Sequence, residues 1–388
     1  MKHILCISHK HPPMIGGMEK QSYELINGLA KHFHVHKLTY SGQENKIIWF
    51  LRLPLRVKKL LKKHPEIELI HLNDGSMGVA SLWLRKMTSK PVFLTFHGLD
   101  ITVPMPFFQK VLVARLQKFD GFICVSEATR QECLKRGFSA EKTFVVNNGV
   151  DSNLKDFPAN YEETAQYLKD IHNIDIHNKK VLITLGRPVK RKGFSWFLKE
   201  VMPHLDNDIM LLMVGPMKKF TPLQHKLWNL IPSLGRKRLS LMLGLPTDAE
   251  AVEKLVNESP NVHHLGAIPF KNLMGLLSAT DLFVMPNIKV QGDMEGFGLV
   301  ALESSIRGTY VAASGIEGIT DAVISGRNGV LLHPENPKAW INAIHQLLSD
   351  SEELGRLSQE GKNFSIENYS WEKMVNGYAE IFKRVVER

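Results

Sequence analysis

Residues 282–307 read LFVMPNIKVQGDMEGFGLVALESSIR. The apolar run 282–285 predicts a buried strand, and Pro286 is typical of the residue that follows one. A loop with three glycines comes next, and the mostly apolar segment 300–307 predicts a helix. Because such glycines expose backbone N–H groups ahead of a helix, this strand–loop–helix unit predicts an anion-binding loop.

Two carboxylates bracket this loop. Glu295 and Glu303 are eight residues apart, or roughly 12 Å along a continuous helix at ~1.5 Å per residue. That distance suits one carboxylate on a sugar and the other on a ribose, with a diphosphate between them. The carboxylate pairs of glycoside hydrolases are closer, at ~5–9.5 Å. A carboxylate within a helix more often faces water, but the adjacent glycine loop favours a functional role for Glu303.

The alternation of short apolar strands with helices extends outward in both directions. In the first half, strands are predicted at residues 2–8, 35–39, 69–72, 92–96, 122–125 and 144–146. In the second half, they are predicted at residues 181–185, 209–214, 262–265, 282–285, 310–313 and 330–332. Strands that are apolar throughout and separated by helices indicate parallel sheets covered on both faces. The sequence therefore predicts an α/β fold of two Rossmann-like, doubly wound domains.

The second half opens with a basic loop. Its first strand runs into GRPVKRKG, residues 186–193, and the carboxyl end of a strand is where open α/β sheets bind ligands. Arg187 and Lys192 are expected to pair with two phosphates. Lys190 and Arg191 are expected to face solvent. A solvated loop without a ligand remains the alternative for the whole group.

A second glycine turn follows the first strand of the chain. Gly16 and Gly17 precede a predicted helix at residues 18–33, and they let the backbone turn tightly and approach a phosphate. A simple turn explains them equally well. The pattern is not the G-x-G-x-x-G dinucleotide fingerprint.

Composition bounds the remaining possibilities. With 388 residues, 44% of them hydrophobic and 23% charged, two domains are the natural expectation. Apolar runs stay short of the ~20 residues of a membrane span, and the N-terminus lacks the features of a signal peptide. The three cysteines have no metal-ligand spacing and are expected to be small buried side chains. A cytoplasmic protein is the expectation.

The net charge of +10 is unevenly placed. Residues 1–150 contain 22 Lys and Arg against 11 Asp and Glu, while the rest of the chain is close to neutral. Six cations alternate with leucines from Leu51 to His64, and six more lie from Met217 to Gly244. Basic amphipathic segments of this kind predict binding to an anionic membrane surface. Core-packed helices with a solvated basic face are the alternative.

Together these motifs resemble the family 4 glycosyltransferases, whose hallmark E-x7-E is EGFGLVALE here, from Glu295 to Glu303. The resemblance covers almost the whole chain. It includes Gly16-Gly17, TFHG with His97, VSEATR around Glu127, NNGVD at 147–151, GRPVKRKG and Asn328-Gly329. One loop departs from it, because the family's G-G-x-x-E is EGITD here, with Asp321 in place of Glu.

The resemblance implies a GT-B fold with two domains facing each other across a cleft. Residues 1–165 would form the acceptor-side domain and residues 166–368 the donor-binding domain, around a polar linker at 151–178. A final helix, 369–388, would cross back to the first domain. The implied activity is retaining transfer of a hexose from a UDP-sugar or GDP-mannose to a glycan or lipid-linked acceptor. Bacterial-type cell-surface glycan or glycolipid synthesis, at the inner face of the cytoplasmic membrane, is the implied setting.

The resemblance also implies site roles. Glu303 would bind the donor ribose and Glu295 the transferred sugar, while Arg187 and Lys192 would neutralise the diphosphate. His97 would lie beside the C6 side of the sugar, although a histidine after a strand is more often structural. The remaining donor contacts would be Gly16, Gly17, Gly186, Ile268, Phe297, Gly298 and Leu299. No cofactor and no metal ion are expected.

Three other functions are weighed against this one. A nucleotide-sugar epimerase or hydrolase of the same architecture should not need the E-x7-E loop. A basic nucleic-acid-binding module is disfavoured because the sequence contains no aromatic-interleaved basic pattern, no recognition-helix motif and no zinc motif. A catalytically inactive sugar-binding relative is disfavoured because both glutamates and both phosphate-binding cations are present.

Overall fold

The computed structural model describes residues 1–14, 16–217, 245 and 247–387. The chain divides into two compact units, one made of Met1–Val150 with Tyr369–Arg388 and the other of Asp151–Asn368. The N-terminal part of the first unit therefore ends at Val150, whereas the expected domain boundary is at residue 165. The basic stretch from Met217 to Gly244 lies, after its first residue, outside the described residues.

The first unit contains a parallel six-stranded sheet in the order β2-β1-β3-β4-β5-β6. Its strands are β1 (His3–Ser8), β2 (His34–Thr39), β3 (Ile67–Leu72), β4 (Val92–Phe96), β5 (Gly121–Cys124) and β6 (Thr143–Val145). Its helices include α1 (Gly17–Leu29), α2 (Lys46–Lys63), α3 (Gly75–Ala80), α4 (Leu84–Met87), α5 (Leu99–Thr102), α6 (Val113–Leu116) and α7 (Glu127–Lys135).

The second unit contains a parallel six-stranded sheet in the order β12-β11-β10-β7-β8-β9. Its strands are β7 (Lys180–Leu185), β8 (Ile209–Val214), β9 (Val262–Gly266), β10 (Leu282–Met285), β11 (Tyr310–Ser314) and β12 (Val330–Leu332). Its described helices include α8 (Tyr161–His172), α9 (Phe194–Glu200), α10 (Ala249–Glu258), α11 (Phe270–Ala279), α12 (Leu299–Ile306), α13 (Ile319–Ala322), α14 (Pro337–Leu348) and α15 (Ser351–Asn368).

The last helix, α16 (Trp371–Val386), belongs to the first unit. One side of this helix is buried, with Tyr378 and Phe382 fully inaccessible. The Phe382 ring packs edge-on against Phe93 of β4, and the Tyr378 hydroxyl lies 3.1 Å from the hydroxyl of Thr95. Because aromatic pairs contribute beyond their buried area, this helix completes the core on one face of the first sheet.

All the predicted strands are present, within two residues at each end, and the expected α/β class is confirmed. The polar linker expected at 151–178 is wrong in its central part, because α8 forms there. Thr164, Ala165 and Leu168 of α8 are buried, and they follow helical spacing. Of the acidic residues in this stretch, Glu162, Glu163 and Asp170 occupy the exposed side of that helix.

In both sheets, the order in which successive strands are added reverses next to the first strand. In the second unit the order counted from β7 is 3-2-1-4-5-6, the Rossmann order, and the reversal falls between β7 and β10. In the first unit it falls between β1 and β3. Open α/β sheets bind ligands at such a reversal, beyond the carboxyl ends of the strands. The fold therefore selects the loops after β7 and β10 as a candidate site.

Two smaller expectations can be compared with the structure. Cys6, Cys124 and Cys133 are free and buried, as predicted. Among the described residues, no helix has the length and apolar character that crossing a bilayer requires.

Candidate active site

The loops that leave β7 and β10 touch each other at a glycine. Gly193 has a φ of 69°, and a Cβ placed on it would lie 1.9 Å from the carbonyl oxygen of Pro286. Just beyond this contact, the Ile288 N–H donates to the Arg191 carbonyl over 2.9 Å. A side chain at position 193 would be strained and would separate the two loops. Their close approach brings the basic loop and the glycine-rich loop into one site.

A compact ionic cluster forms where the loops meet. Glu295 Oε2 lies 2.6 Å from Lys192 Nζ and 3.0 Å from Arg191 Nη1. The same oxygen accepts a hydrogen bond from Asn287 Nδ2 at 3.2 Å. Arg191 Nε also contacts Asp293 Oδ1 at 3.1 Å. We call these five residues the Glu295 cluster.

The cluster is buried, and its charges compensate each other. The exposed fraction of the side chains of Lys192, Glu295 and Arg191 is 11%, 13% and 17%. Burial by itself would raise the pKa of Glu295, but Arg191 and Lys192 outweigh it and hold that pKa at about 2. Burial would lower the pKa of Arg191, but the negative charges of Glu295 and Asp293 raise it above its ordinary value. Glu295 is therefore ionised throughout the physiological range and acts as a fixed acceptor.

A third acid supports the backbone of Glu295. The Glu295 N–H donates to Glu317 Oε2 over 2.6 Å, and the Gly318 N–H donates to the Glu295 carbonyl over 3.0 Å. Glu317 adopts a left-handed φ of 53°, which is unusual for a residue other than glycine. Burial raises the pKa of Glu317 to about 7, and the nearby charge of Glu295 adds to this. The loop that departs from the family pattern thus holds Glu295 in place.

The ~12 Å estimate for Glu295 and Glu303 assumed a continuous helix between them, but the helix begins only after Glu295. Gly298 caps α12, which starts at Leu299, so Glu295 and Phe297 are not helical. The ~12 Å separation of Glu295 and Glu303 along a continuous helix is therefore the wrong geometry. Glu303 lies half-buried on the second turn of α12. Phe297 is buried beneath the loop, while Leu299 is half-buried.

The basic loop differs from the sequence prediction in one respect. Arg191 does not face solvent, because it turns inward onto Asp293 and Glu295. Lys190 is half-exposed, and its ammonium group contacts the buried Asp248 at 3.3 Å. Arg187 is exposed and follows Gly186, which has a φ of 138°. Sequence reasoning thus missed Arg191, and it gave no role to Asn287 or to Glu317.

The remaining second-unit candidate, Ile268, is half-buried just after β9. β9 is the edge strand on the far side of β8 from β7. Neither Ile268 nor Glu303 is a member of the Glu295 cluster.

In the first unit, the candidates follow the carboxyl ends of β1 and β4. Gly16 and Gly17 lead into α1, and a Cβ on Gly16 would collide with the Glu19 carboxylate. His97 Nε2 hydrogen-bonds to the Asn73 carbonyl over 2.8 Å. At the reversal of this sheet, His9 Nδ1 lies 3.1 Å from the fully buried Asp74. That pair was not predicted, since its members are 65 positions apart in the sequence.

Comparison with known families agrees with this architecture. The family described as Glycosyl transferases group 1 matches residues 168–364, and Glycosyltransferase Family 4 matches residues 15–154. Two Rossmann-like units that carry these two halves define a glycosyltransferase of the GT-B class. The chain belongs to the group 1 glycosyl transferases and is a family 4-like enzyme.

Individual relatives span most of the chain. An uncharacterized glycosyltransferase of Methanocaldococcus jannaschii is 28% identical over 88% of this chain and 73% of its own length. The alpha-maltose-1-phosphate synthase of Mycolicibacterium smegmatis is 22% identical over 82% of this chain and 79% of its own length. Among solved structures, Anabaena HepE in complex with UDP-glucose matches with a TM-score of 0.72 and 18% identity, over 99% of this chain and 100% of that one.

The raised pKa of Glu317 predicts a pH-dependent stability. A carboxyl group whose native pKa lies above its ordinary value near 4.3 stabilises the fold fully below that value. This contribution is lost as the pH rises through about 7. The rise to about 7, at ~1.4 kcal/mol per pKa unit, gives a total loss on the order of 3 kcal/mol. The variant E317Q, which keeps an acceptor oxygen but cannot ionise, should not show it.

The measurement is urea unfolding of wild type and E317Q at pH values from 5 to 8. The control is E258Q, which removes an exposed carboxylate from α10 and should retain the wild-type pH dependence. If E317Q lost stability with rising pH as steeply as the wild type, Glu317 would not be the titrating group.

Proposed function

We propose that this glycosyltransferase takes a hexose from a nucleoside diphosphate sugar and transfers it with retention of configuration, without a metal ion. The acceptor is a glycan or a lipid-linked molecule in the synthesis of a cell-surface glycan or glycolipid. The observation that carries the proposal is the Glu295 cluster. A carboxylate kept ionised at the reversal of a Rossmann-ordered sheet, between two buried cations, is suited to a ligand that has both sugar hydroxyls and phosphates.

The division of labour within the cluster follows from its charges. Glu295 can accept hydrogen bonds from sugar hydroxyls, since it has no proton of its own to donate near pH 7. Lys192 and Arg191 place two positive charges within 3.0 Å of it. As the glycosidic bond breaks, negative charge develops on the leaving diphosphate, and fixed cations stabilise that charge without reorganisation. Arg187 supplies a further cation on the same loop.

The acids of the cluster also support catalysis without a metal ion. Asp293 and Glu295 would be the carboxylates available to hold a divalent cation beside the diphosphate. Both are already paired with Arg191, and Glu295 with Lys192 as well. A metal ion would have to displace these cations, and the positive charge it would supply is already present.

The nature of the donor is supported by the relatives. The HepE structure that resembles this chain contains UDP-glucose, and the Mycolicibacterium relative synthesises alpha-maltose 1-phosphate, as its name states. The HepE complex supports a hexose donor activated by a nucleoside diphosphate, and the name of the Mycolicibacterium relative supports a product built from hexoses. UDP-sugars and GDP-mannose are the two donors to distinguish.

Donor binding is tested by thermal melting with UDP, GDP and ADP, followed by calorimetry with the nucleotide that binds. At 100 times its dissociation constant, a ligand adds ~2.7 kcal/mol to the stability of the protein. If Glu303 binds the ribose, E303Q should lower the affinity for the bare nucleotide at least tenfold, since a charge-assisted hydrogen bond is lost. E258Q should bind like the wild type. Equal affinity of E303Q and wild type would remove Glu303 from the donor site.

Two lysines of the basic loop provide a matched test of catalysis. K192M removes the buried cation beside Glu295, and it should lower turnover by roughly 10²–10³-fold, the usual effect of losing one preorganised charge stabiliser. K190M removes a half-exposed cation that contacts Asp248, and it should keep turnover within about tenfold of wild type. Steady-state rates at saturating donor are the measurement. A K192M enzyme as active as K190M would contradict the role assigned to Lys192.

The proposed membrane contact rests on α2. Trp49, Leu53 and Val57 of this helix are buried in the first unit. Ile47, Leu51 and Leu55 recur at every fourth residue on another side of the helix, and their side chains are 70%, 74% and 71% exposed. Further along α2, the exposed cations are Lys58, Lys59, Lys62 and Lys63. Exposed apolar side chains flanked by lysines favour insertion at an anionic membrane surface.

Sedimentation with liposomes tests this surface through two variants, one that removes its apolar side chains and one that removes its cations. Replacing Ile47, Leu51 and Leu55 by Ser should weaken binding at all salt concentrations, because apolar burial is not screened. Replacing Lys58, Lys59, Lys62 and Lys63 by Gln should remove the salt-sensitive part, worth about 1 kcal/mol per cation near the surface. Both variants should bind nucleotide normally. A wild type that ignores anionic liposomes at low salt would favour a soluble acceptor.

A further inference from the structure

A group of imidazoles lies at the edge of the first sheet where its strands begin. His3 opens β1, and His34 and His36 lie at alternate positions of β2, so all three project from the same face. His64 and Glu66 come from the turn that leads from α2 into β3. We call these five residues the histidine cluster.

The donor atoms of this cluster are spaced like ligands of one metal ion. His3 Nδ1 lies 3.1 Å from His36 Nε2 and 3.6 Å from Glu66 Oε1. One donor atom each from His3, His36 and Glu66 lie within 4.8 Å of one another. In a tetrahedral zinc site, bonds of ~2.0–2.1 Å place neighbouring ligand atoms roughly 3.3 Å apart. The distances of 3.1 and 3.6 Å from His3 Nδ1 bracket that value.

The surroundings hold these ligands in position. His64 Nδ1 hydrogen-bonds to Glu66 Oε1 over 2.9 Å, which orients the carboxylate in the manner of the outer partners of metal ligands. The rings of His36 and His64 are 4.2 Å apart, and those of His3 and His34 are 4.6 Å apart.

We propose that His3, His36 and Glu66 form a binding site for a divalent transition metal ion, with zinc as the preferred occupant. Two imidazoles and one carboxylate suit zinc, whereas magnesium and calcium prefer ligand sets made only of oxygen. Three protein ligands leave a fourth position, which the neighbouring His34 or a water molecule can fill. His64 is a positioning residue that acts through Glu66.

The site is separate from the chemistry proposed above. It lies at the amino ends of β1 and β2, whereas Gly16, Gly17 and His97 follow the carboxyl ends of β1 and β4. A bound ion would connect β1, β2 and the turn before β3. Since these are consecutive along the sheet edge, the expected consequence is a more stable first unit rather than a change in the reaction.

Calorimetry of the untagged full-length protein with zinc chloride at pH 7.5 tests the proposal, after chelator treatment and removal of the chelator. We expect one zinc ion per chain and a rise in melting temperature. H36N and E66Q should each lower the association constant at least tenfold, and H64N on the order of tenfold or more, as for other partners of metal ligands. Bound cobalt should give the intense visible absorption of a four-coordinate site in the wild type but not in H36N or E66Q.

Two control variants separate this site from general binding by histidines and acids. H204N removes an exposed histidine of the second unit, and E68Q removes the neighbouring carboxylate that pairs with Lys2. Both should bind zinc like the wild type. Metal-free H36N should melt at the same temperature as metal-free wild type, which excludes misfolding. Equal zinc affinity in H36N, E66Q and wild type, or no zinc binding by the wild type, would overturn the proposal.

Discussion

A carboxylate buried among cations determines how the second unit must be built. Glu295 is removed from water, and an isolated buried charge is costly. It persists as an anion because Lys192 and Arg191 reach the same oxygen from a loop about one hundred residues earlier in the chain. That contact requires β7 and β10 to be neighbours, and only the reversal in strand order makes them so. Gly193 then permits the two loops to approach.

Such a cluster contributes less to stability than its number of contacts suggests. The cost of desolvating several charges offsets most of their attraction, and replacing a buried ion pair by apolar residues is often neutral. The arrangement instead keeps polar groups ready for a polar ligand. Glu317, which binds the Glu295 N–H from a left-handed backbone position, adds strain for the same purpose. A ligand with hydroxyls and phosphates would find acceptors and cations already oriented.

The first unit places different chemistry at its two edges. At the carboxyl edge, His9 and Asp74 form a buried pair beside the strand reversal, in the position that corresponds to the Glu295 cluster of the second unit. At the amino edge, β1 and β2 bring together the histidine cluster. On the outer helix α2, an apolar stripe remains exposed beside four lysines. Part of the excess positive charge of the first 150 residues is therefore concentrated on one surface, the exposed side of α2.

The sequence by itself determined the strands, the parallel character of the sheets and the family, because these depend on local apolar periodicity and contiguous motifs. It also located the two loops of the candidate site. It did not determine which cations enter that site, since Lys190, Arg191 and Lys192 are equivalent as a charge run. Only tertiary structure shows that Arg191 turns inward onto acids more than one hundred positions away. For the same reason, His3, His36 and Glu66 were invisible as a group. Their spacing in the sequence follows no metal-binding pattern, and strand pairing alone brings them together.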